Sequence, residues 1–278
     1  MVEEVKEYVQ RYWEEGRSKI SRRLCEKWGW VCRDGRWAER ACREVLLRLE
    51  EEGEVKLPPR RGPNYRGQRR YRMEYLAGLR MSGGVRGRVD AYQEVKVERV
   101  ENRSQRELWS TAMAAWHPLG CPPSVGHQLR YLVWLDGECV GAVGFGPAAW
   151  RVRVRDEWIG WTEEQRRRGL DHITNNVRFL IFPHVEVRHL ASKVLSRAVQ
   201  AARRDWEERY RIRLYMVETF VDSRRYRGTC YRAANWIYLG ETSGHRRTGR
   251  FYRWHGHPKS VYVYPLVRHV RKRLCGDT

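Results

Sequence analysis

The chain has 278 residues and a formal net charge of +21, with 55 Lys and Arg against 34 Asp and Glu. Forty-seven of the cations are Arg, the side chain suited to planar, bidentate contacts with phosphates and base edges; a charge of this size favours polyanionic partners, nucleic acid first. With 41% hydrophobic residues, 13 Trp and 15 Tyr, the chain can build a core, which excludes a wholly disordered polycation.

Residues 1–59 read as helix, helix, helix, short strand. Val2, Val5, Val9, Tyr12 and Trp13 form one helical stripe, and Ile20, Leu24 and Trp28 a second behind Ser18. Ala38, Ala41, Cys42, Val45, Leu46 and Leu49 mark a third helix, and Val55 and Leu57 a strand before Pro58-Pro59. That order predicts a winged helix-turn-helix with Arg40 and Arg43 turned from the apolar stripe towards DNA. A small helical bundle for protein contact is the other reading.

Residues 60–88 hold nine Arg, six Gly and one acid, Glu74. Such a composition buries little and predicts a basic linker or arm, with Arg60, Arg61, Arg66, Arg69 and Arg70 on phosphates.

From residue 89 to 278 the pattern is α/β. A strand is expected at Val95–Val100, a helix at 104–116, and a hairpin at Leu129–Leu135 and Cys139–Phe145 around Asp136-Gly137. A charged helix at Thr162–Asn175 and a strand at Arg178–Pro183 follow. The spacing of Leu190, Val194, Leu195, Ala198, Val199, Ala202 and Trp206 predicts a long helix. Then come a strand at Leu214–Val221, a short helix at Cys230–Trp236, strands at Ile237–Gly240 and Val261–Pro265, and a closing helix at Val267–Leu274. No apolar run reaches membrane-span length. Seven scattered Cys without a Cys-x-x-Cys pair argue against disulfides and structural zinc; with the charged start Met1–Glu15, they predict a cytoplasmic protein.

A carboxylate, Glu218, sits within the apolar pattern Leu214–Val221. A buried charge needs a partner or a role, and burial raises a carboxylate's pKa towards that of a general base. Asp156 and Asp222 are the other candidate catalytic carboxylates. Strand alternation puts Glu218 and Asp222 on one side, and the expectation is a cleft holding Glu218, Asp222 and Tyr231 with Asn176 and Arg178 at its rim. Asn176, Arg178, Thr229 and Asn235 are candidate substrate-binding groups. Trp158 and Trp161, beside Arg155, are candidates for stacking a base. No metal site is expected.

The order strand, helix, hairpin, strand, long helix, strand, short helix, strand resembles the GNAT acyltransferase fold. That resemblance implies a strand splayed from its neighbour before the long helix, and a loop into that helix that binds the pyrophosphate of an acyl-CoA-like donor. The aligned residues are Arg188-His-Leu-Ala-Ser-Lys193, so Arg188, Ala191, Ser192 and Lys193 are the implied cofactor-binding residues. Ala191 and Lys193 stand where the family has small residues. It also implies Tyr231 as general acid.

Several longer strings resemble the Druantia anti-phage protein A family: Ile20-Ser-Arg-Arg-Leu-Cys-Glu-Lys-Trp-Gly-Trp30, Arg155-Asp-Glu-Trp-Ile-Gly-Trp161, Asn175-Asn-Val-Arg-Phe-Leu-Ile-Phe-Pro183, Glu218-Thr-Phe-Val-Asp222 and Gly228-Thr-Cys-Tyr-Arg-Ala-Ala-Asn-Trp236. This resemblance implies phage defence and association with DNA. The expected function is a DNA-binding defence protein whose GNAT-like domain modifies a nucleobase or another nucleophile on nucleic acid. Two alternatives stay open: a non-catalytic recognition module that recruits a helicase or transposase, and a metal-dependent nuclease built on Asp156, Glu218 and Asp222.

Overall fold

The computed structural model describes residues 2–32, 35, 37–59, 74, 76, 79, 84–122, 126–248, 251–254 and 257–276. The chain divides into two compact units, residues 1–70 and 71–278.

The first unit contains α1 (Val2–Arg11), α2 (Arg17–Trp28) and α3 (Glu39–Glu51). Their apolar stripes bury Val5, Val9, Ile20, Leu24, Cys42 and Leu46 in one core, as the spacing predicts. Gly29 ends α2 in the left-handed region (φ 59°), donating its N–H to the last carbonyls. Val55 and Leu57 are buried but belong to no strand, and the β pairing described in this unit is the single bridge Val31–Trp37. Three helices are therefore present, while a paired wing strand at Val55–Leu57 is absent among the described residues. The segment is held instead by Arg17, which donates two bonds to Glu50, both at 2.9 Å, and one from Nε to Pro58 O at 2.7 Å. Arg43 is half-buried and turns back to its own helix, Nε to Glu39 O at 3.2 Å. The side chain of Arg40 and all of Arg60, Arg61, Arg66, Arg69 and Arg70 lie outside the described residues.

In the second unit, part of the expected arm is packed. Leu76 is buried against Trp109, Met113, Leu132 and Phe182. Strand β1 (Val85–Arg88) pairs in parallel with β6 (Val185–Arg188), which the sequence pattern had not suggested.

The main sheet uses β2 (Val95–Arg99), β3 (Leu129–Leu135), β4 (Glu138–Pro147), β5 (Ile173–Ile181), β7 (Met216–Val221), β8 (Ile237–Glu241) and β11 (Ser260–Pro265), in the order β2-β3-β4-β5-β7-β11-β8. All neighbours are antiparallel except β5 and β7. The β3–β4 hairpin closes on Asp136 (φ 47°) and Gly137 (φ 89°), the doubly positive pair of a type I′ turn. β9 (His245–Thr248) and β10 (Phe251–Trp254) form a separate ribbon. This unit is mixed α/β with a large mixed sheet.

Helix α7 (Leu190–Tyr210) covers one face of the sheet, burying Val194, Leu195, Ala198, Ala202 and Trp206 against both halves. The short helix α8 (Thr229–Ala233) lies on the same face through Tyr231. The opposite face carries α4 (Arg103–Trp116) over β3 and β4, and α5 (Arg153–Ile159) with α9 (Val270–Cys275) over β5, β7 and β11. Among the described residues, no helix is long and apolar enough to cross a membrane.

The largest shift in expected boundaries lies between residues 162 and 183. The charged helix stops early: α6 spans Glu163–Gly169 behind a Thr162/Gln165 capping box, and Ile173 already belongs to β5. Gly169 fits there because a Cβ would stand 2.6 Å from Leu274 O. Helix α5 falls where only a Trp-containing string had been noted.

Replacing Leu46, which is 1% exposed, by Ala is expected to destabilise the first unit by about 2–5 kcal/mol. Urea unfolding of the full chain, followed by far-ultraviolet circular dichroism, measures it.

Candidate functional site

Glu218 lies at the centre of β7, on the face covered by α5. Its neighbours Val217 and Thr219 face α7, as strand alternation requires. Glu218 is fully buried, and its partner is Arg155, also fully buried, with Nη1 donating to Oε2 at 2.8 Å. The other carboxylate oxygen accepts Ala149 N–H at 2.7 Å, and Arg155 Nη1 also donates to Ala149 O. Arg155 donates from Nε and Nη2 to Asp156 at 2.9 and 2.8 Å. Asp156 in turn accepts Val152 N–H and the indole N–H of Trp161. One guanidinium thus holds two carboxylates, the end of β4, α5 and β7. Burial pushes the Glu218 carboxyl up from its ordinary value, against the pull of Arg155 and of Ala149 N–H.

The expected convergence of Glu218, Asp222 and Tyr231 does not occur. Glu218 faces α5, whereas Tyr231 packs under α7 on the other side of the sheet. Asp222 lies past the end of β7 and closes a turn, accepting Arg224 N–H and both Nε and Nη2 of Arg224, which holds its carboxyl down at about 2.

Around Tyr231 there is a second cluster. Strands β5 and β7 pair over three positions only, Ile173 with Met216, Thr174 with Val217 and Asn175 with Glu218, and then part. Asn176 stands at the parting point. Its Oδ1 accepts the Tyr231 hydroxyl at 2.9 Å, its Nδ2 donates to Gly144 O and Arg178 O, and its carbonyl accepts Thr219 Oγ1 at 3.0 Å. Tyr231 stacks on Tyr262 (centroids 5.7 Å apart, 20° between planes) and meets Trp236 edge-on. Burial raises the pKa of its hydroxyl. Gly228 makes this packing possible: its φ is 67°, and a Cβ there would stand 2.4 Å from the Tyr262 hydroxyl.

The remaining candidates are dispersed. Arg178 is half-buried and bonds to two carbonyls, Gly120 and Val177; burial lowers its pKa. Nearby His117 is half-buried and takes Leu119 N–H on Nδ1. Trp161 is tied to Asp156, and Trp158 packs beneath Arg271. Thr229 and Asn235 are exposed at the two ends of α8. Arg188 is exposed in β6, and Ala191, Ser192 and Lys193 form the first turn of α7 behind His189, whose φ is 65°. His189, Ser192, Lys193, Ala234, Asn235 and Tyr264 line a hollow of about 260 Å³. Arg155 was the residue the sequence reading missed as a partner; the signal was the unexplained buried carboxylate itself.

A family profile described as Druantia protein DruA matches residues 68–254. The chain belongs to the Druantia protein DruA family. The match spans Arg155, Asp156 and Glu218, the Asn176–Tyr231 pair and α7. No curated protein matches the chain in sequence. Among solved structures, the chain is similar to AAC(6')-Ib in complex with ribostamycin and coenzyme A, at 14% identity and a TM-score of 0.41, over 65% of this chain and 97% of that one. It is also similar to an N-acetyltransferase from Staphylococcus aureus Mu50, at 8% identity and a TM-score of 0.37, over 62% and 98%.

The acyl-CoA-like donor implied by the GNAT resemblance meets two different environments in this DruA-family chain. The hollow at the start of α7 is lined by His189, Ser192 and Lys193 among others. The gap between β5 and β7 is filled by Tyr231 and bridged by Asn176 and Thr219, so it does not fit an extended arm in this conformation.

Two outcomes are expected. Glu218→Gln leaves the Arg155 charge with Asp156 alone and should lower stability by about 3 kcal/mol, since removing one partner of a buried pair is costly; Glu218→Gln combined with Arg155→Met should recover part of that loss in urea unfolding. Burial, with a smaller contribution from Arg178, lowers the His117 pKa from 6.5 to about 4. Neutral His117 therefore favours the folded state fully above pH 6.5, and that contribution is lost as pH falls towards 4. His117→Asn should flatten the urea midpoint across this interval relative to the parent.

Proposed function

We propose that the chain is a nucleic-acid-binding component of phage defence, with its conspicuous buried carboxylate serving the fold and not acting as a base. The observation that carries the first half is the net charge of +21, most of it arginine. Exposed Lys193, Arg197 and Arg204 along α7 add to it in the second unit. Membership of the Druantia protein DruA family supports the defence context. The second half follows from hydrogen bonding. Glu218 gives both oxygens to Arg155 and Ala149, and Arg155 occupies the position between Glu218 and Asp156 that a metal ion would need in the nuclease reading. A base must reach the proton it removes, and Glu218 has no exposed surface.

On this reading the protein recognises nucleic acid and hands it to a partner such as a helicase or transposase. A specific feature favours a second reading, a transferase acting on nucleic acid: the parting of β5 from β7 is the geometry the GNAT resemblance implies. That reading requires the Asn176–Tyr231 bond to open.

Binding of the full chain to a labelled duplex should weaken steeply with salt, with a log–log slope of about −0.9 per phosphate contacted. A flat response to salt would count against the nucleic-acid reading. Mass spectrometry of nucleosides from cells expressing the protein separates the two roles. An unmodified profile is expected of the recruiter, and a new nucleoside would establish the transferase.

A further inference from the structure

Beside the Arg155 cluster, three guanidiniums gather around one carboxylate. Glu163, the first residue of α6, accepts Arg151 Nη2 at 3.0 Å and Arg167 Nη2 at 3.2 Å, and stands 3.4 Å from Arg166 Nη2. Glu163 is 52% exposed, whereas the Arg166 side chain is 8% exposed. Arg166 is poorly satisfied for so buried a cation. Its Nε and Nη2 have no hydrogen-bond partner, since Glu163 is near enough for an ion pair but not aligned for a bond. Its other acid, Asp156, is 3.9 Å away and already bonded to Arg155. Leaving such donors unmade in a desolvated place is costly, more so for a charged group. Over this guanidinium lies Trp150, its ring centroid 5.4 Å from Arg166 Cζ, and the indole is 52% exposed.

We propose that Trp150, Arg151, Arg166 and Arg167 form a binding site for a single-stranded nucleic acid, in which a phosphate takes the place of the Glu163 carboxylate and an unpaired base stacks on the exposed indole. The inference rests on the nucleic-acid reading above and names where a strand is held. Three arginines around one carboxylate leave an excess of positive charge, and the two non-bridging oxygens of a phosphodiester, set on a larger tetrahedral centre, suit the same planar donors. They also give Arg166 the acceptors that Glu163 does not align. With Arg166 on one face, the indole is polarised to stack a base on the other. Single strands are favoured because a base inside a duplex has no free face to offer. Glu163 is then an internal stand-in that shields the cations when no strand is bound.

The test uses the full chain and two fluorescein-labelled probes of equal length, an oligo(dT) strand and a fully abasic strand, read by fluorescence anisotropy. Binding of the parent protein to oligo(dT) tests the nucleic-acid reading itself; the variants test the site. Trp150→Ala should weaken oligo(dT) binding roughly tenfold, as loss of one stacked base does, and leave the abasic strand unchanged, with Trp150→Phe restoring most of the loss. Glu163→Gln should strengthen binding of both probes more than Glu164→Gln does. Glu164 is the adjacent residue, pairs with Arg168 and makes the same change in charge. The proposal is overturned if parent and Trp150→Ala bind oligo(dT) alike, if Trp150→Ala weakens both probes equally, or if the two Glu→Gln variants are indistinguishable.

Discussion

Arg155 has no exposed surface and carries its charge into the interior. A lone guanidinium there would be prohibitive, and a pair is tolerable only when nearly every donor is met. Here Arg155 meets two carboxylates and a carbonyl from three stretches of chain: Glu218 on β7, Asp156 on α5, and Ala149 after β4. The second unit is organised around that requirement. It ties the stretch after β4 and helix α5 to β7. Through Asp156 it also sets the position of Trp161 and the neighbourhood of Arg166. A hydrophobic cluster could hold the same elements together with more tolerance of register. The ion cluster permits few arrangements, because each displaced donor leaves a buried charge unmet.

This also orders the chemistry of the surface. Arg155 is buried and shared by two acids, Arg166 is nearly buried and short of acceptors, and Arg151 and Arg167 are exposed. Positive charge thus rises from the interior to the surface along one line of contacts, ending at an exposed indole. The arginines that determine the fold and those that face solvent are different members of one chain of contacts.

Much of this architecture was legible in the sequence. The Asp136-Gly137 turn announces the β3–β4 hairpin, because that pair adopts the required φ values locally. The apolar spacing of α7 is equally local. The end of α6 was not legible: Glu163–Arg168 reads as a helix that continues, whereas the helix ends at Gly169, a position that the carbonyl of Leu274, more than a hundred residues away in sequence, keeps for glycine. The site divides in the same manner. An isolated carboxylate in an apolar strand showed that Glu218 needed a partner. It could not say which of 47 arginines would supply it, since Arg155 lies 63 positions earlier. Tyr231 and Asn176 were both singled out, yet their bond, across 55 positions, depends on where β5 leaves β7. Among the tryptophans, Trp158 and Trp161 were preferred for their setting beside Arg155. Periodicity does not reveal which of the indoles near Arg155 reaches solvent: Trp158 and Trp161 are half-buried, and Trp150, in the loop before α5, is exposed.

The short pairing of β5 with β7 has a mechanical side. The main sheet consists of two antiparallel plates, β2-β3-β4-β5 and β7-β11-β8, welded along three residue pairs and stitched once more by Asn176. Helix α7 spans both plates as a brace on one side, while on the other the Arg155 cluster fastens the end of the first plate to the middle of the second. Bending stress on such a body concentrates at the weld and not within either plate. Small rotations of one plate against the other would change the gap at Tyr231 most, and would reach the Trp150 loop through the same fastening. The seam is therefore the line along which the main sheet has the fewest backbone pairs, with a brace on one face and a clasp on the other.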